Sequence, residues 1–363
     1  MIHVIIGTKA QLIKMAPILK QLQIQQIEYN YILTGQHKDT VSDIAKNFNL
    51  KQPDYILYSG KDITSIVKMG VWFIKCLIQT IFHKKQIFKG DKKGIVLVHG
   101  DTFSTLLGAV MGKLAGLKVG HVESGLRSFN LFHPFPEEIT RLLVFRLANY
   151  LFCPGEWAIQ NVQRYKAKKI NTQFNTLYDA LVQVTPQLES IEVNVPVYDY
   201  AVVSIHRFEN IYNQAVLNRI ISIVTDIAKT HKLLFILHKP TEKKLHQFGV
   251  YQALAQNSQV ELRQRYDYFR FIKLVYHADF IISDGGSNQE ECYFLGKPIL
   301  LLRKATERNE GIGHNCILSE YKPEVIAGFV QNFQQYQYDF QQLSPSPTDI
   351  IIENIKVYAV NES

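Results

Sequence analysis

The sequence is poor in the residues that staple a chain or thread it through a bilayer. It has four cysteines in 363 residues. Cys76, Cys153, Cys292 and Cys316 stand far apart with no Cys-x-x-Cys pair and no Cys/His ligand spacing. That excludes a disulfide framework and a structural zinc site, and no metal is expected. No apolar run reaches the roughly 20 residues a spanning helix needs. The most apolar stretch, Ile66 to Phe82, is interrupted by Lys68 and Lys75. The Walker loop and the Gly-x-Gly-x-x-Gly fingerprint of dinucleotide sites are both missing, so no nicotinamide cofactor is expected. No module for nucleic acid is legible. Met1-Ile-His-Val-Ile-Ile-Gly runs straight into a strand pattern without a charged leader or cleavage site, and a cytoplasmic protein is expected.

What is present is a globular composition, 47% hydrophobic and 20% charged, with a formal charge of +8 and a pI near 9.1. A basic balance suits an anionic membrane face or a phosphorylated substrate. Lys84, Lys85, Lys89, Lys92 and Lys93 crowd together with only Asp91 against them, which reads first as a solvated loop. With Trp72 and Phe73 on the preceding amphipathic stretch, the same lysines allow weak association with the inner membrane.

Short β-branched runs alternate with helical stretches. His3–Ile6, Tyr29–Leu33, Ile95–His99, Val119–Val122 and Tyr150–Cys153 read as strands buried on both faces. Helices are expected between them, at Leu12–Leu22 and Ser104–Ala115. The pattern pauses over Pro186–Tyr200, a linker, and resumes at Ala201–Ile205, Leu233–Leu237, Val260–Leu262, Phe280–Ser283 and Ile299–Leu302. The fold class is therefore α/β, with two Rossmann-like, doubly wound parallel-sheet domains facing a cleft. The expected boundaries are residues 1–185, residues 186–345 and a helical tail, residues 346–363.

Ligands of such sheets sit beyond the carboxyl ends of the strands, and chemistry-bearing residues cluster there. The first strand runs into Gly7-Thr8-Lys9, with Lys14 following, where a helix N-terminus offers N–H groups to an anion. Gly100-Asp101-Thr102 follows one strand, and Val122-Glu123-Ser124 sits at the end of the next. Pro136-Glu137-Glu138 and Arg141 come after. Acidic groups converging on one cleft suit acid–base work at a carbon. The bland alternatives are a helix-capping Asp101 and surface positions for Glu137 and Glu138. In the second half, His206-Arg207 follows a strand, and Asp284-Gly285-Gly286-Ser287 opens a helix carrying Glu291. Two glycines and a serine at a helix start make a cradle for a diphosphate. Arg308, after a further strand, is placed to clamp a phosphate or to pack beneath the loop.

Together these motifs resemble the non-hydrolysing UDP-N-acetylglucosamine 2-epimerases of bacterial surface-polysaccharide pathways. The likeness spans Gly7 to Arg308 and includes Ile13-Lys14-Met15-Ala16-Pro17, Thr34-Gly35-Gln36-His37, Val96-Leu97-Val98-His99-Gly100-Asp101-Thr102, Gly120-His121-Val122-Glu123-Ser124-Gly125-Leu126-Arg127, Pro134-Phe135-Pro136-Glu137-Glu138 and Gln289-Glu290-Glu291. The resemblance implies the two-domain GT-B arrangement and epimerisation at C2 of a UDP-sugar by loss and re-addition of UDP, without metal or nicotinamide. It implies Asp101, Glu123, Glu137 and His206 as the acid–base set. UDP would be held by Gly285, Gly286, Ser287, Glu291 and Arg308, with Lys9, Lys14 and a uracil-covering Phe271. A second UDP-sugar acting as activator would meet Gln36, Lys68, Glu137, Arg207 and His238. A homodimer is implied as well.

The departures from that family fall on binding positions. Gly-Thr-Arg-Pro-Glu is here Gly7-Thr8-Lys9-Ala10-Gln11, Asp-Ser-Gly-Gly is Asp284-Gly285-Gly286-Ser287, and a glutamine has become Tyr266. A hydrolysing epimerase releasing UDP and a free N-acetylmannosamine-type sugar, and a GT-B glycosyltransferase, remain the alternatives.

Overall fold

The computed structural model describes residues 1–35, 41–60, 66–131, 135–340 and 344–359. The chain divides into two units, one comprising Met1–Ala180 and Leu343–Ser363, the other Leu181–Gln342.

In the first unit, β1 (Ile2–Ile6), β2 (Tyr29–Leu33), β3 (Tyr55–Ile56), β4 (Ile95–His99), β5 (Lys118–Val122), β6 (Tyr150–Cys153) and β7 (Lys168–Asn171) form one parallel sheet in the order β3-β2-β1-β4-β5-β6-β7. Every residue of β1 and β4 is buried, because helices cover both faces and continuous aliphatic runs suit such strands. Ile5, Val96, Leu107 and Phe145 belong to one core between sheet and helices. The C-terminal helix Pro347–Ile355 starts with a capping box at Ser346. Thr348 donates to Asp179 from both its N–H and its hydroxyl, at 2.7 and 2.5 Å. The tail therefore folds against the first unit.

The second unit repeats the plan. β8 (Ala201–Ser204), β9 (Leu233–Leu237), β10 (Val260–Gln264), β11 (Ile281–Ser283), β12 (Ile299–Leu301) and β13 (Cys316–Leu318) are parallel in the order β10-β9-β8-β11-β12-β13. Val203, Ile220, Phe280 and Leu300 share its core. The expected linker begins as a 3-10 turn, Thr185–Ser190, and has no further regular structure before β8.

The expected strands all form. β3, β7 and β13 are additional, and each is short or polar. The Ile66–Ile87 helix lies on the first unit. Trp72, expected to aid membrane attachment, is buried, and its indole N–H donates to the Thr34 carbonyl at 3.3 Å. Phe73 packs edge-on against Phe103. Among the described residues no helix is long and apolar enough to cross a membrane.

Candidate functional site

Each sheet has one place where the strand order reverses, β1 beside β4 and β8 beside β11. Loops leave in opposite directions there, and ligands of doubly wound sheets bind at that point. Lys9, Lys14 and Asp101 follow the strands of the first of these places, and His206, Gly285, Gly286, Ser287 and Glu291 those of the second, whereas Phe271, Arg308 and Lys68 lie on other elements.

In the first unit, Gly7 leaves β1 against the following elements. A Cβ there would lie 1.9 Å from Ser104 Oγ and 2.5 Å from Thr34 Oγ1, so only glycine fits. The turn is not the open anion cradle expected. Gln11 Oε1 accepts from the N–H groups of Gly7 and Thr8 at 2.9 and 3.1 Å, and Thr8 caps the helix Lys9–Ile24 through Gln11 N. Gln11 Nε2 then donates to the His99 carbonyl, Thr102 Oγ1 and Thr105 Oγ1 at 2.7, 3.0 and 2.9 Å. The amide thus ties the β1 loop to the β4 loop. A glutamate has no N–H to give the carbonyl. Lys9 is the first helical residue and is partly exposed.

Asp101 follows β4. The cap of the next helix, Phe103–Leu114, is Thr102, which leaves Asp101 for other work. Arg141 Nη2 donates to Asp101 Oδ2 at 2.5 Å, and its Nη1 donates to Glu138 Oε2 at 3.2 Å. Glu138 is also held by Arg127 Nε and by the Ser128 N–H at 3.0 Å. Its side chain has no exposed surface, so the surface reading of Glu138 is wrong, whereas that of Asp101 is 28% exposed. Burial alone would raise the Glu138 pKa, but the Ser128 N–H and the guanidiniums of Arg127 and Arg141 outweigh it and hold the carboxyl below its ordinary range. Glu137, half-buried, is the residue before Glu138 and opens the helix Glu137–Leu147. Arg141 therefore ties the start of that helix to the Asp101 loop.

Glu123 comes directly after β5 with φ of 61°. That left-handed backbone costs an L-residue about 1–2 kcal/mol, and persists where the surroundings over-determine it. Here Lys14 Nζ is 2.7 Å from Glu123 Oε2 and His99 Nε2 is 3.0 Å away, all with side chains about 5–6% exposed. Beneath them His121 is fully buried. Its Nε2 lies 2.7 Å from the Gly100 carbonyl, which fixes the proton on that nitrogen, and its Nδ1 accepts from Ser124 Oγ at 3.0 Å. Burial pushes its pKa down to about 4, so it serves as a neutral brace.

In the second unit, Asp284 organises the loops after β8 and β11. Its carboxylate is buried and accepts from the N–H groups of His206 and Arg207 at 2.9 and 3.0 Å and from Asn210 Nδ2 at 2.9 Å. The His206 ring stacks on His238 with centroids 4.6 Å apart. Burial lowers the His206 pKa, with Asp284 opposing and Arg207 and Arg265 assisting. A Cβ on Gly285 would lie 2.6 Å from His206 Cε1, and one on Gly286 would lie 3.0 Å from Arg308 Nε. The glycines therefore let a histidine and a guanidinium approach the start of the helix Gly286–Phe294, which has no side-chain cap. Ser287 stands in its first turn. Asn288 Nδ2 donates to Glu291 Oε2 at 2.8 Å, aiming a buried carboxylate. Arg308 Nη1 is 2.6 Å from Glu290 Oε1. Arg207 and Arg303 both reach Glu307 at 2.9 Å, and their charges outweigh its burial and hold its pKa far below the usual carboxylate range. Phe271 sits half-buried in the helix Tyr268–His277 that follows β10.

In the first unit Lys14 meets Glu123, and Arg141 links Asp101 to Glu138, the neighbour of Glu137; in the second, His206 meets His238 and Gly285, Gly286 lies against Arg207 and Arg308, and Ser287 and Glu291 share the helix that follows. Lys68 is exposed on the Ile66–Ile87 helix, and Gln36 lies outside the described residues. Sequence reasoning did not single out His99, Gln11 as a tie between loops, or Glu307 and Asn288 as partners. Their only signal was a position within a few residues of a strand end. Among the described residues, no group of three or more His, Cys, Asp or Glu side chains is placed to hold a metal ion.

The family model for UDP-N-acetylglucosamine 2-epimerase matches residues 20–348. A UDP-N-acetylglucosamine 2-epimerase of Methanococcus maripaludis is 32% identical, over 91% of this chain and 90% of its own length. That of Escherichia coli K12 is also 32% identical, over 85% and 83%. Among solved structures, the Methanocaldococcus jannaschii enzyme in complex with UDP-GlcNAc and UDP superposes with a TM-score of 0.79 at 28% identity, covering 98% of this chain and 99% of that one. The Neisseria meningitidis enzyme bound to UDP-GlcNAc gives 0.80 at 27%, with the same coverage. With its two parallel sheets and a model match along most of its length, the chain belongs to the UDP-N-acetylglucosamine 2-epimerase family.

Proposed function

We propose that the protein interconverts UDP-N-acetylglucosamine, or a related 2-acetamido UDP-sugar, and its manno epimer without releasing free sugar, in the service of capsule or another surface polysaccharide. The reaction is elimination followed by re-addition. A base takes the proton from C2, the C–H electron pair forms a C1=C2 double bond, and the C1–O bond breaks so that UDP leaves with its pair. UDP then adds back at C1 while C2 receives a proton on the opposite face. Electrons balance within the substrate, so the scheme requires no redox partner.

The observation that carries this reading is the pair of carboxylates in unlike surroundings. Asp101 is partly exposed against Arg141, and Glu123 is buried against Lys14 and His99. An acid and a base working at one carbon need such a difference. Glu137 and His206 complete the proposed set. Lys14 sets a positive charge beside Glu123, a partner that a buried carboxylate needs. On the second unit, the N–H groups at Gly286 and Ser287 and the Arg308 guanidinium suit the diphosphate. Glu291 accepts from ribose hydroxyls, and Phe271 covers the uracil. Lys68, Arg207 and His238 are the candidates for activator binding, with sigmoidal dependence of rate on substrate as their signature. The relatives crystallised with UDP-GlcNAc support the choice of substrate.

Incubation with UDP-N-acetylglucosamine, followed by proton NMR, tests the proposal. A second UDP-linked anomeric signal should grow to an equilibrium ratio. Accumulation of UDP with free N-acetylmannosamine would overturn the non-hydrolysing reading, and an unchanged spectrum would overturn the activity.

A further inference from the structure

Three histidines are buried in the first unit among the described residues, His3, His99 and His121. Two are fixed by both ring nitrogens. His3 Nε2 lies 3.0 Å from Asp91 Oδ2, and its Nδ1 lies 2.9 Å from Asn30 Nδ2. His121 is held between the Gly100 carbonyl and Ser124 Oγ. His99 differs. Its backbone is pinned, since its carbonyl accepts from Gln11 Nε2 at 2.7 Å and from Thr105 Oγ1 at 2.6 Å. Neither of its ring nitrogens makes a hydrogen bond among the described residues. Buried polar atoms are nearly always paired, and one that is not calls for a reason. His99 ends β4, and Glu123 follows β5, its neighbour in the sheet. Nε2 therefore comes within 3.0 Å of Glu123 Oε2, out of line for a hydrogen bond but near enough to pass a proton once the ring turns.

Epimerisation by elimination and re-addition leaves the protein in a different proton state from the one in which it began. One group has taken the C2 proton, and another has given a proton to the opposite face. The protein is then set for the reverse reaction. Both groups must exchange protons with water before the next substrate molecule reacts in the same direction. The Asp101 side chain is 28% exposed and meets water directly, whereas that of Glu123 is 6% exposed. Lys14, 2.7 Å from Glu123 Oε2, is an ammonium with three N–H donors and no acceptor, so it does not take a proton. An imidazole both takes and gives one near neutral pH.

We propose that His99 is the proton relay that resets Glu123 between turnovers. This rests on the epimerase reading, with Glu123 as one of its acid–base groups. Protonated Glu123 gives its proton to His99 Nε2 and is left as the carboxylate. The imidazolium so formed loses a proton to water and returns to neutral. The same steps in reverse protonate Glu123. Only bonds to the proton form and break, so nothing is oxidised or reduced. His99 acts through Glu123 and not on the sugar.

The test compares two rates in the full-length native protein and in His99→Gln and His99→Asn, whose amides do not titrate. Net conversion of pure UDP-N-acetylglucosamine, at saturating concentration, requires a reset in every turnover. Transfer of a carbon label between substrate and epimer already at equilibrium requires none, because each pass in one direction prepares the protein for a pass in the other. In the variants net conversion should fall by ~10-fold or more, while label transfer at equilibrium stays within about twofold of native. Near-native label transfer also shows that the variant is folded. Both rates falling together in a variant with native tryptophan fluorescence would overturn the proposal, because displacement of Glu123 or loss of packing slows both. Unchanged net conversion would overturn it as well. A native protein that shows neither rate would overturn the epimerase reading instead, so the two failures are distinct.

Discussion

Replacing Glu138 by glutamine tests whether the Asp101 loop is built on a buried charge network. Glu138 has no exposed surface and takes hydrogen bonds from Arg127 Nε, Arg141 Nη1 and the Ser128 N–H. A glutamine keeps one acceptor oxygen and turns the other into an NH2 donor. Whichever way the amide sits, a donor then faces a donor. Two guanidiniums also lose their shared countercharge while they remain buried, with side chains 12 and 5% exposed. Breaking a buried pair from one side costs about 3–5 kcal/mol. The chain has two tryptophans, Trp72 and Trp157, both in the first unit, so their fluorescence in urea reports on that unit alone. At pH 7 the variant should be less stable by about 3 kcal/mol or more. The sign with pH follows from the depressed folded pKa of Glu138. Its stabilisation is complete above the unfolded value of 4.5 and is lost as pH falls through the lower folded value, so the gap between the proteins should narrow in acid. A variant within about 1 kcal/mol of native at pH 7, or a gap that widens in acid, would refute the reasoning.

Three further outcomes are expected. Asp101→Asn, Glu123→Gln and Glu137→Gln should each reduce the kcat of the folded protein by at least ~100-fold, and near-normal rates in two of the three would remove the acid–base assignment. Gly285→Ala puts a Cβ 2.6 Å from His206 Cε1, so titration calorimetry should show UDP binding weakened by ~10-fold or more, and unchanged affinity would mean that the ring is not held against the loop. His3 and His121 are each pushed down to about 4 by burial, so their contribution to stability is complete above 6.5 and is lost as pH falls toward 4. Asp179, raised to about 6 by burial, offsets part of this. The urea midpoint of the first unit should be lower at pH 5 than at pH 7, and an equal midpoint would contradict the linkage.

Much of the fold is legible because buried parallel strands are written as aliphatic runs. β2, β4, β6 and β9 begin and end where the residues suggest. β7, Lys-Lys-Ile-Asn at the sheet edge, and β3, two residues long, carry no such run. They are strands only because a neighbour offers a ladder. The site is legible as positions after strands, since topology brings those positions together. Partners are not, because nothing in the sequence says that Arg141 meets Asp101 across 40 residues or that Gln11 spans 88 to the His99 carbonyl. Trp72 shows the same limit. A helix with two apolar faces does not reveal which one the core takes.

The most direct test of the account is the reaction run in heavy water. Removal and return of the C2 proton requires that UDP-N-acetylglucosamine and its epimer both acquire deuterium at C2, with UDP still attached to each, and that Asp101→Asn and Glu123→Gln suppress the exchange. Epimer formed without deuterium at C2 would contradict the elimination and re-addition proposed here.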